Sequence, residues 1–222
     1  MSGLVVVALS GPTPDTALLR ARIDGASLFI AADAGAQRLA ALGLRPDVLT
    51  GDFDSLPAAR REAAVRAGAE VVAHPEPQQT TDGAVALRLA VERGAESIVV
   101  LGAHGGERMD HSLGNLLALF DPALGSLPVT AVDGHGEATA LRADGRASVL
   151  FQGRAGDYVS LLPVSDAVRV STQGLLWPLA DASLSRGMSR GLSNELLGAR
   201  GGYALSQGAA LAVHVVRGPG AL

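Results

Sequence analysis

Residues 27–52 read SLFIAADAGAQRLAALGLRPDVLTGD and alternate two short apolar runs with one alanine-rich segment. The runs at 27–33 and 47–52 have the length and composition of buried strands, whereas the segment between them has helical periodicity. A strand, a helix and a second strand in succession predict a βαβ unit, in which the two strands lie parallel.

The same alternation extends over the first ~130 residues. Further apolar runs lie at 4–9, 70–74, 97–103 and 129–133. Alanine-rich segments long enough to cross back over a sheet separate them, which predicts a mostly parallel sheet covered by helices on both faces. After residue 134, short apolar runs are separated by Gly, Pro, Ser and Asp with no convincing helix. We therefore predict an α/β domain over 1–134 and a smaller all-β domain over 135–222.

Composition excludes several classes of protein. The 222 residues contain no apolar stretch near the ~20 that a membrane helix needs, and residues 4–9 lack the flanking features of a signal peptide. We therefore expect a soluble, cytoplasmic protein with no membrane partner. Cysteine is absent, which excludes disulfides, thiolate metal sites and a cysteine nucleophile. The net charge of −4, without a basic cluster, argues against nucleic acid as a partner.

All 18 basic residues are arginine. Without lysine the chain has neither a P-loop lysine nor a Schiff-base lysine. Codon bias is an equally good explanation of this composition, but the exclusion holds in either case. Any bound phosphate must therefore be held by arginine, backbone amides or a metal.

Acidic residues follow the predicted strands. Asp33 ends the second strand, and Asp52 and Asp54 follow the third. Asp82 opens the helix after the fourth strand, and the loop 102–111, GAHGGERMDH, follows the fifth. Any one of these has a structural explanation as a turn residue or helix cap. Because ligands bind beyond the carboxyl ends of parallel strands, the four stretches together predict one ligand site.

Asp52 and Asp54 are two residues apart, and on extended backbone their side chains project to the same side. Two charges ~6 Å apart repel by about 2 to 3 kcal/mol at an effective dielectric constant near 20. A bound cation would relieve that repulsion, and an all-oxygen site favours a hard ion such as Mg²⁺. Zinc is less favoured, because the five histidines are scattered with no HExxH pair.

The loop at 102–111 has the composition of a phosphate site. Gly102, Gly105 and Gly106 allow close approach of the backbone to a ligand. Arg108 offers a planar fork of donors, and Asp110 can hold a metal or a ribose.

Four stretches match the motifs of a known family: ADAGA at 32–36, GDFDS at 51–55, the stretch from Gly105 to Asn115, and GMSRGLSNE at 187–195. Over nearly its whole length the chain resembles the thiamine pyrophosphokinase (thiamine diphosphokinase) family. It departs from the family pattern twice. Gln79 replaces a carboxylate of the D-x-T-D stretch, and Glu107 is inserted before Arg108. Since an amide carbonyl can still coordinate, we expect Gln79 to alter metal affinity rather than abolish activity.

The resemblance implies transfer of pyrophosphate from ATP to thiamine, giving thiamine diphosphate and AMP, in a Mg²⁺-dependent homodimer. The N-terminal domain would bind ATP, and a C-terminal β-sandwich would help to bind thiamine near the subunit interface. Asp52, Asp54 and Asp82 would hold the metal, Asp110 would complete the acidic cluster, and Asp82 would steer the hydroxyl proton. The implied ATP-binding residues are Asp33, Gly35, Arg38, Gly51, Thr81, Gly102, Gly105, Gly106, Arg108, His111 and Asn115.

The implied thiamine-binding residues are Trp177, Ser189, Ser193 and Asn194. Trp177 is the only tryptophan. One interpretation makes it a core residue of the β-sandwich. The other, which the resemblance supports, stacks it on thiamine, because an indole face attracts an aromatic cation.

Three other functions stay open at this point. GMSRG at 187–191 also fits the G-x-S-x-G nucleophile elbow of serine hydrolases, with Ser189 as nucleophile and His214 as the only downstream histidine. An elbow requires a strand before the serine and a helix after it. The second alternative is a pyrophosphokinase for another alcohol, such as a hydroxymethylpterin. The third is a nucleotide sensor without catalysis.

Overall fold

The computed structural model describes residues 3–73 and 80–217. The chain divides into two compact units, Met1–Gly134 and His135–Leu222. Gln79, at which the sequence departs from the family pattern, lies outside the described residues.

In its described residues, the first unit contains six parallel strands in the order β4-β3-β2-β1-β5-β6. The strands are β1 (Leu4–Ala8), β2 (Leu28–Ala32), β3 (Val48–Gly51), β4 (Glu70–Ala73), β5 (Ser97–Leu101) and β6 (Val129–Val132). Their β-branched, apolar composition suits a sheet buried on both faces, and β1 is buried over Val5 to Ala8. This confirms the predicted fold class.

Helices connect the first five strands and precede the sixth. They are α1 (Ala17–Ile23), α2 (Gly35–Ala41), α3 (Ala58–Arg66), α4 (Asp82–Glu92) and α5 (Met109–Ala118). Threonine side chains cap two of them, since Thr16 accepts from Leu19 N and Thr81 accepts from Ala84 N, each at 3.3 Å. A short 3₁₀ turn, Pro122–Leu124, leads into β6.

The core of this unit lies on the sheet. Leu19 of α1 and Leu39 of α2 pack in one cluster with Val6 and Ala8 of β1. Val5 and Val7, whose side chains point to the opposite face, are also buried, and α4 buries Ala86, Leu87, Leu89 and Ala90. The sheet order places β2 on one side of β1 and β5 on the other, so the crossovers diverge at the carboxyl end of β1. Such a switch point is where open α/β sheets form ligand crevices.

The second unit is a β-sandwich. Its strands are β7 (Gly136–Arg142), β8 (Ser148–Gln152), β9 (Tyr158–Pro163), β10 (Ala167–Gln173), β11 (Ala182–Ser185), β12 (Asn194–Glu195), β13 (Arg200–Gln207) and β14 (Ala209–Val215). Antiparallel pairing joins β7-β14-β9-β12 in one layer and β11-β10-β13-β8 in the other.

Alternation along the strands forms the sandwich core. In β8, Val149 and Phe151 are buried while the residues beside them are exposed. Phe151 joins Leu161 of β9 and Leu205 of β13 in one buried cluster that draws side chains from both layers.

Among the described residues, no helix has the length and apolar character needed to cross a lipid bilayer.

Candidate active site

A cleft of about 440 Å³ opens at the carboxyl ends of β1, β2 and β3. Four predicted acidic residues line it: Asp33, Asp52, Asp54 and Asp82. Four other predicted site residues line it as well: Thr81, Arg108, His111 and Asn115. With Ser10, which also lines the cleft, these residues come from five separate segments of the sequence.

Three carboxylates converge in this cleft. Asp33, Asp52 and Asp82 each offer an oxygen, and these oxygens all lie within 4.8 Å of one another. Asp33 has a positive φ of 47° at the end of β2 and is only 7% exposed. Such a backbone conformation is uncommon outside glycine, and Asp33 adopts it where it lines the cleft.

The two oxygens of Asp33 differ in their partners. Oδ2 accepts hydrogen bonds from the Ser55 backbone N at 3.2 Å and from the Ser55 hydroxyl. Oδ1 is buried, and no hydrogen-bond donor among the described residues reaches it. A buried carboxylate oxygen without a donor is costly, and a hard cation would satisfy it. The residues present therefore fit a divalent cation such as Mg²⁺.

Gly51 is required by this cluster. Its φ is +136°, and a Cβ built on it would lie 3.3 Å from both Asp33 Cβ and Asp82 Cγ. Any side chain here would strain the backbone and crowd two of the three carboxylates.

The predicted extended geometry of Asp52 and Asp54 is wrong. Strand β3 ends at Gly51, Phe53 has a left-handed φ of 63°, and Asp54 N donates to Asp52 Oδ1 at 3.0 Å. The backbone therefore turns between the two aspartates. Asp54 faces the cleft but lies outside the set of three carboxylates, a place that Asp33 takes. The charge of Asp52 raises the pKa of Asp54, with smaller contributions from burial and from Asp33.

Asp110 pairs with Arg108 instead of joining the three carboxylates. Nε of Arg108 lies 2.9 Å from Oδ1 and Nη2 lies 2.6 Å from Oδ2. Hydrogen bonds from Arg108 hold the pKa of Asp110 well below its usual range. The expectation that Asp110 completes the acidic cluster is not met, because its charge is already matched by a guanidinium.

The glycines of the 102–106 loop have different environments. Gly102 has φ +67°, and a Cβ there would lie 2.6 Å from the carbonyl oxygen of Leu9. It is needed for packing against the segment that follows β1, where Gly11 N donates to Gly102 O at 3.0 Å. Gly105 has φ +87°, whereas a Cβ at Gly106 would meet no atom of the described residues within 4 Å.

Other predicted ATP-binding residues support the cleft rather than line it. A Cβ on Gly35 would lie 1.9 Å from the carbonyl oxygen of Ala8, so this glycine lets α2 approach β1 closely. Arg38 Nε donates to the carbonyl of Ser10 at 2.8 Å. Asn115, which does line the cleft, donates through Nδ2 to the carbonyl of Ala103 at 3.0 Å.

Sequence reasoning missed Ser55, Ser10, Thr80 and Gly83, which also line the cleft. Ser55 had a usable signal, because it closes the GDFDS motif. The two carboxylates of this motif are its predicted functional groups, whereas the Ser55 hydroxyl, which bonds Asp33, is not among them.

The predicted thiamine residues lie in the second unit. Trp177 is 55% exposed, so the interpretation as a core tryptophan is wrong. Ser189 begins a 3₁₀ turn, Ser189–Gly191. Ser193 has a positive φ of 60°, and its backbone N donates to Ser160 Oγ at 3.0 Å. Asn194 is buried and bonds the backbone of Trp177.

The serine hydrolase alternative is not supported. The residues after Ser189 form a 3₁₀ turn and the two-residue strand β12, not the helix that a nucleophile elbow requires. His214 is fully buried, and its Nε2 faces Asp157 at 3.3 Å.

Comparison with known proteins adds an independent line of evidence. The thiamin pyrophosphokinase catalytic domain matches residues 19–130, and the thiamin pyrophosphokinase vitamin B1 binding domain matches residues 148–202. The thiamine pyrophosphokinase of Bacillus subtilis (strain 168) is 27% identical over 186 residues, which are 83% of this chain and 86% of that protein.

Solved structures agree over nearly the whole chain. The crystal structure of thiamine pyrophosphokinase from Bacillus subtilis has a TM-score of 0.81 and 25% identity, covering 96% of this chain and 99% of that one. The crystal structure of thiamin pyrophosphokinase from Geobacillus thermodenitrificans has a TM-score of 0.75 and 29% identity, covering 96% and 98%. The catalytic domain of the family matches half of this chain, and the vitamin B1 binding domain matches a further part of it. The chain therefore belongs to the thiamin pyrophosphokinase family.

Proposed function

We infer that this chain is a thiamine diphosphokinase that transfers pyrophosphate from ATP to the hydroxyl of thiamine. The observation that carries this inference is the coincidence, in one chain, of a matched catalytic domain holding a three-carboxylate cleft and a matched vitamin B1 binding domain. The thiamine oxygen forms a bond to the β-phosphorus of ATP, the bond from that phosphorus to the α,β-bridging oxygen breaks, and AMP leaves.

Asp33, Asp52 and Asp82 are the residues that we propose to hold Mg²⁺. When bound there, the ion would neutralise charge on the phosphates and orient them. No hydrogen-bond donor among the described residues reaches Oδ1 of Asp33, which supports this assignment and revises the expectation that Asp54 is the third ligand.

Asp54 is then available for a different role. It lines the cleft but does not belong to the three carboxylates proposed to hold the cation, so its oxygens are left to accept a proton. We place the hydroxyl proton of thiamine on Asp54 rather than on Asp82.

The phosphates of ATP would be bound by Arg108 and by the start of α4. Arg108 lines the cleft, and it pairs with Asp110 through Nε and Nη2, which leaves Nη1 outside that pairing. Thr81 and Gly83 line the cleft at the N-terminus of α4, where backbone N–H groups favour anions. His111 and Asn115 of α5 complete this wall.

Thiamine would stack on Trp177 and hydrogen-bond Ser189 and Ser193. An exposed indole face is suited to a cationic aromatic ring, with an attraction of about 0.5 to 2 kcal/mol beyond ordinary stacking. The left-handed backbone at Ser193 is the kind of local strain that is concentrated at ligand sites.

We also propose a homodimer with the thiamine site near the interface. In α5, Met109, Leu113 and Leu117 are exposed at four-residue spacing, which makes an apolar stripe on one face of the helix. Around the thiamine residues, Leu176, Met188, Leu192 and Leu197 are exposed as well. Apolar surface of this kind favours a protein partner. Sedimentation at micromolar concentration that detects only a monomer of 22.4 kDa would contradict the dimer.

The deciding assay measures AMP release from ATP, thiamine and Mg²⁺, a reaction that we place in the cytoplasm, where ATP is available. The expected result is AMP and thiamine diphosphate in equal amounts, and no AMP when a hydroxymethylpterin replaces thiamine. A fluorophosphonate probe should leave Ser189 unlabelled. AMP release with the pterin but not with thiamine would show that the pterin, rather than thiamine, is the substrate.

Titration of Mg²⁺ separates the roles of the aspartates. Asp82→Asn should raise the Mg²⁺ concentration for half-maximal rate at least tenfold. Asp54→Ala should lower turnover more than tenfold at saturating Mg²⁺, whereas the Mg²⁺ concentration for half-maximal rate should stay as in the wild type. Turnover of Asp54→Ala within tenfold of wild type would remove Asp54 from the mechanism.

A further inference from the structure

Most of the hydrogen-bonding capacity of the Asn194 amide is taken by backbone groups. Its Oδ1 accepts from Trp177 N at 3.0 Å and from Glu195 N at 2.9 Å, and its Nδ2 donates to Trp177 O at 2.8 Å. An asparagine amide can make about four hydrogen bonds, and three are taken by backbone groups. The side chain is also buried, with the residue only 8% exposed.

Residues on both sides of Trp177 are bonded to neighbouring segments, but the Trp177 backbone has no other support among the described residues. It lies between β10 and β11, outside any strand, and Pro178 follows it. Leu176 N donates to Glu195 O at 2.9 Å, and Leu175 forms a bridge with Leu196, so the chain leaves its pairing with β12 just before Trp177. Among the described residues, Asn194 supplies every hydrogen bond that the Trp177 backbone makes.

We propose that Asn194 is a positioning residue, which acts on thiamine through Trp177 and does not bind thiamine itself. The side-chain amide of Asn194 bonds both the N–H and the carbonyl of Trp177, as the backbone of a neighbouring strand would do in a sheet. The indole is thereby presented to solvent on a segment that is otherwise irregular. The proposal rests on the proposed function for the identity of the ligand, but the positioning of Trp177 is testable without any ligand.

The first measurement uses the fact that Trp177 is the only tryptophan, so the intrinsic fluorescence reports this one side chain. In the protein without ligand, Asn194→Ala should lower the fluorescence anisotropy of Trp177 and raise its acrylamide quenching constant about twofold. The matched control is Thr172→Val, which removes the bond from Leu179 N to Thr172 Oγ1 at 2.8 Å in the same segment but leaves Trp177 bonded. The control should retain the wild-type anisotropy.

The second measurement is a double-mutant cycle on the KM for thiamine. Asn194→Ala should raise this KM about tenfold when Trp177 is present and less than twofold in the Trp177→Leu background. The KM for ATP should stay within twofold throughout. A direct contact between Asn194 and thiamine predicts the same factor in both backgrounds, and that result would overturn the proposal, as would an unchanged anisotropy in Asn194→Ala.

Two further arms keep the test decisive. If Asn194→Ala does not fold, Asn194→Asp retains an oxygen for the two N–H donors but loses the donor to Trp177 O, and it is tested in the same two ways. If the wild-type protein releases no AMP with thiamine, the proposed function fails, whereas the anisotropy measurement still decides whether Asn194 positions Trp177.

Discussion

Arg108 and Asp110 form a bidentate ion pair at the edge of the acidic cleft, with Nη2 of Arg108 2.6 Å from Oδ2 of Asp110. Both side chains are exposed. Because exposed ion pairs stabilise a fold very little, the pair is better understood as orienting Arg108.

The two members of this pair should therefore behave differently on substitution. Arg108→Leu should raise the KM for ATP about tenfold or more, because a charge-assisted contact with phosphate is lost. Asp110→Asn should change kcat and the KM for ATP less than threefold, since Arg108 keeps its charge and the asparagine oxygen still accepts one of the two orienting hydrogen bonds. Steady-state kinetics of both variants test this, and a loss of turnover in Asp110→Asn as large as that in Asp82→Asn would return Asp110 to the catalytic acids.

Gly51→Ala should lower both stability and activity. The positive φ costs on the order of 1 kcal/mol or more, and the new methyl group crowds Asp33 and Asp82. The control is Gly43→Ala, where φ is +72° but no atom in the described part of the chain lies within 4 Å of the new Cβ. Thermal unfolding should detect a loss of stability in both variants, whereas turnover should fall more than tenfold only in Gly51→Ala. Equal turnover in the two would show that crowding at the cluster is unimportant.

Asp54 should make stability depend on pH when no divalent cation is present. Its pKa is raised above the ordinary 3.8, chiefly by the charge of Asp52, so the folded protein binds this proton more tightly than the unfolded chain. Stability should therefore fall as pH rises from about 3.8 through the folded-state pKa. Asp54→Asn should be more stable than wild type at pH 7 and equal to it below the ordinary carboxyl range. Urea unfolding at several pH values with EDTA measures this, and a destabilised Asp54→Asn at pH 7 would contradict the repulsion.

Trp177→Leu should raise the KM for thiamine about tenfold or more and leave the KM for ATP nearly unchanged. The melting temperature should move little, because the side chain is 55% exposed and few core contacts are lost. Steady-state kinetics with each substrate varied in turn, together with calorimetry, make the test. A large drop in melting temperature with both KM values intact would show that Trp177 is structural.

Tyr203→Phe should stabilise the sandwich. Tyr203 is 3% exposed, burial raises the pKa of its phenol, and no partner for its hydroxyl lies among the described residues. Removing an unsatisfied buried hydroxyl should stabilise the protein by roughly 1 to 3 kcal/mol in chemical unfolding. Tyr158→Phe is the control, because Tyr158 is only partly buried and stacks under Arg217. A destabilised Tyr203→Phe would mean that the hydroxyl has a partner in the folded protein.

The segments that sequence analysis placed well are those governed by local periodicity. Strands β1, β2 and β5 are continuous β-branched or apolar runs, and α4 begins at Asp82 as expected. Motif order also predicted that Asp33, Asp52 and Asp82 face one cleft, because parallel strands must end at a common edge.

Details of the carboxylates and of Trp177 were not predictable in this way. The turn at Phe53 moves Asp54 out of the group that Asp33 joins, and backbone φ is not visible in a spacing of two residues. The exposure of Trp177 could not be predicted from its own segment, and its backbone partner, Asn194, lies 17 residues later in the chain.

The amino-acid sequence by itself determined the alternation of strands and helices, the change to an all-β second unit, and the acidic character of the cleft. Hydrophobic periodicity and residue chemistry are properties of short stretches of sequence, so they can be recognised without the tertiary structure. Only the tertiary structure decided which carboxylates share a cation site, which arginine is already paired, and which side chain holds the tryptophan. These are relations between residues distant in the chain, set by distances of a few ångströms and by backbone conformation, and a linear pattern contains neither quantity.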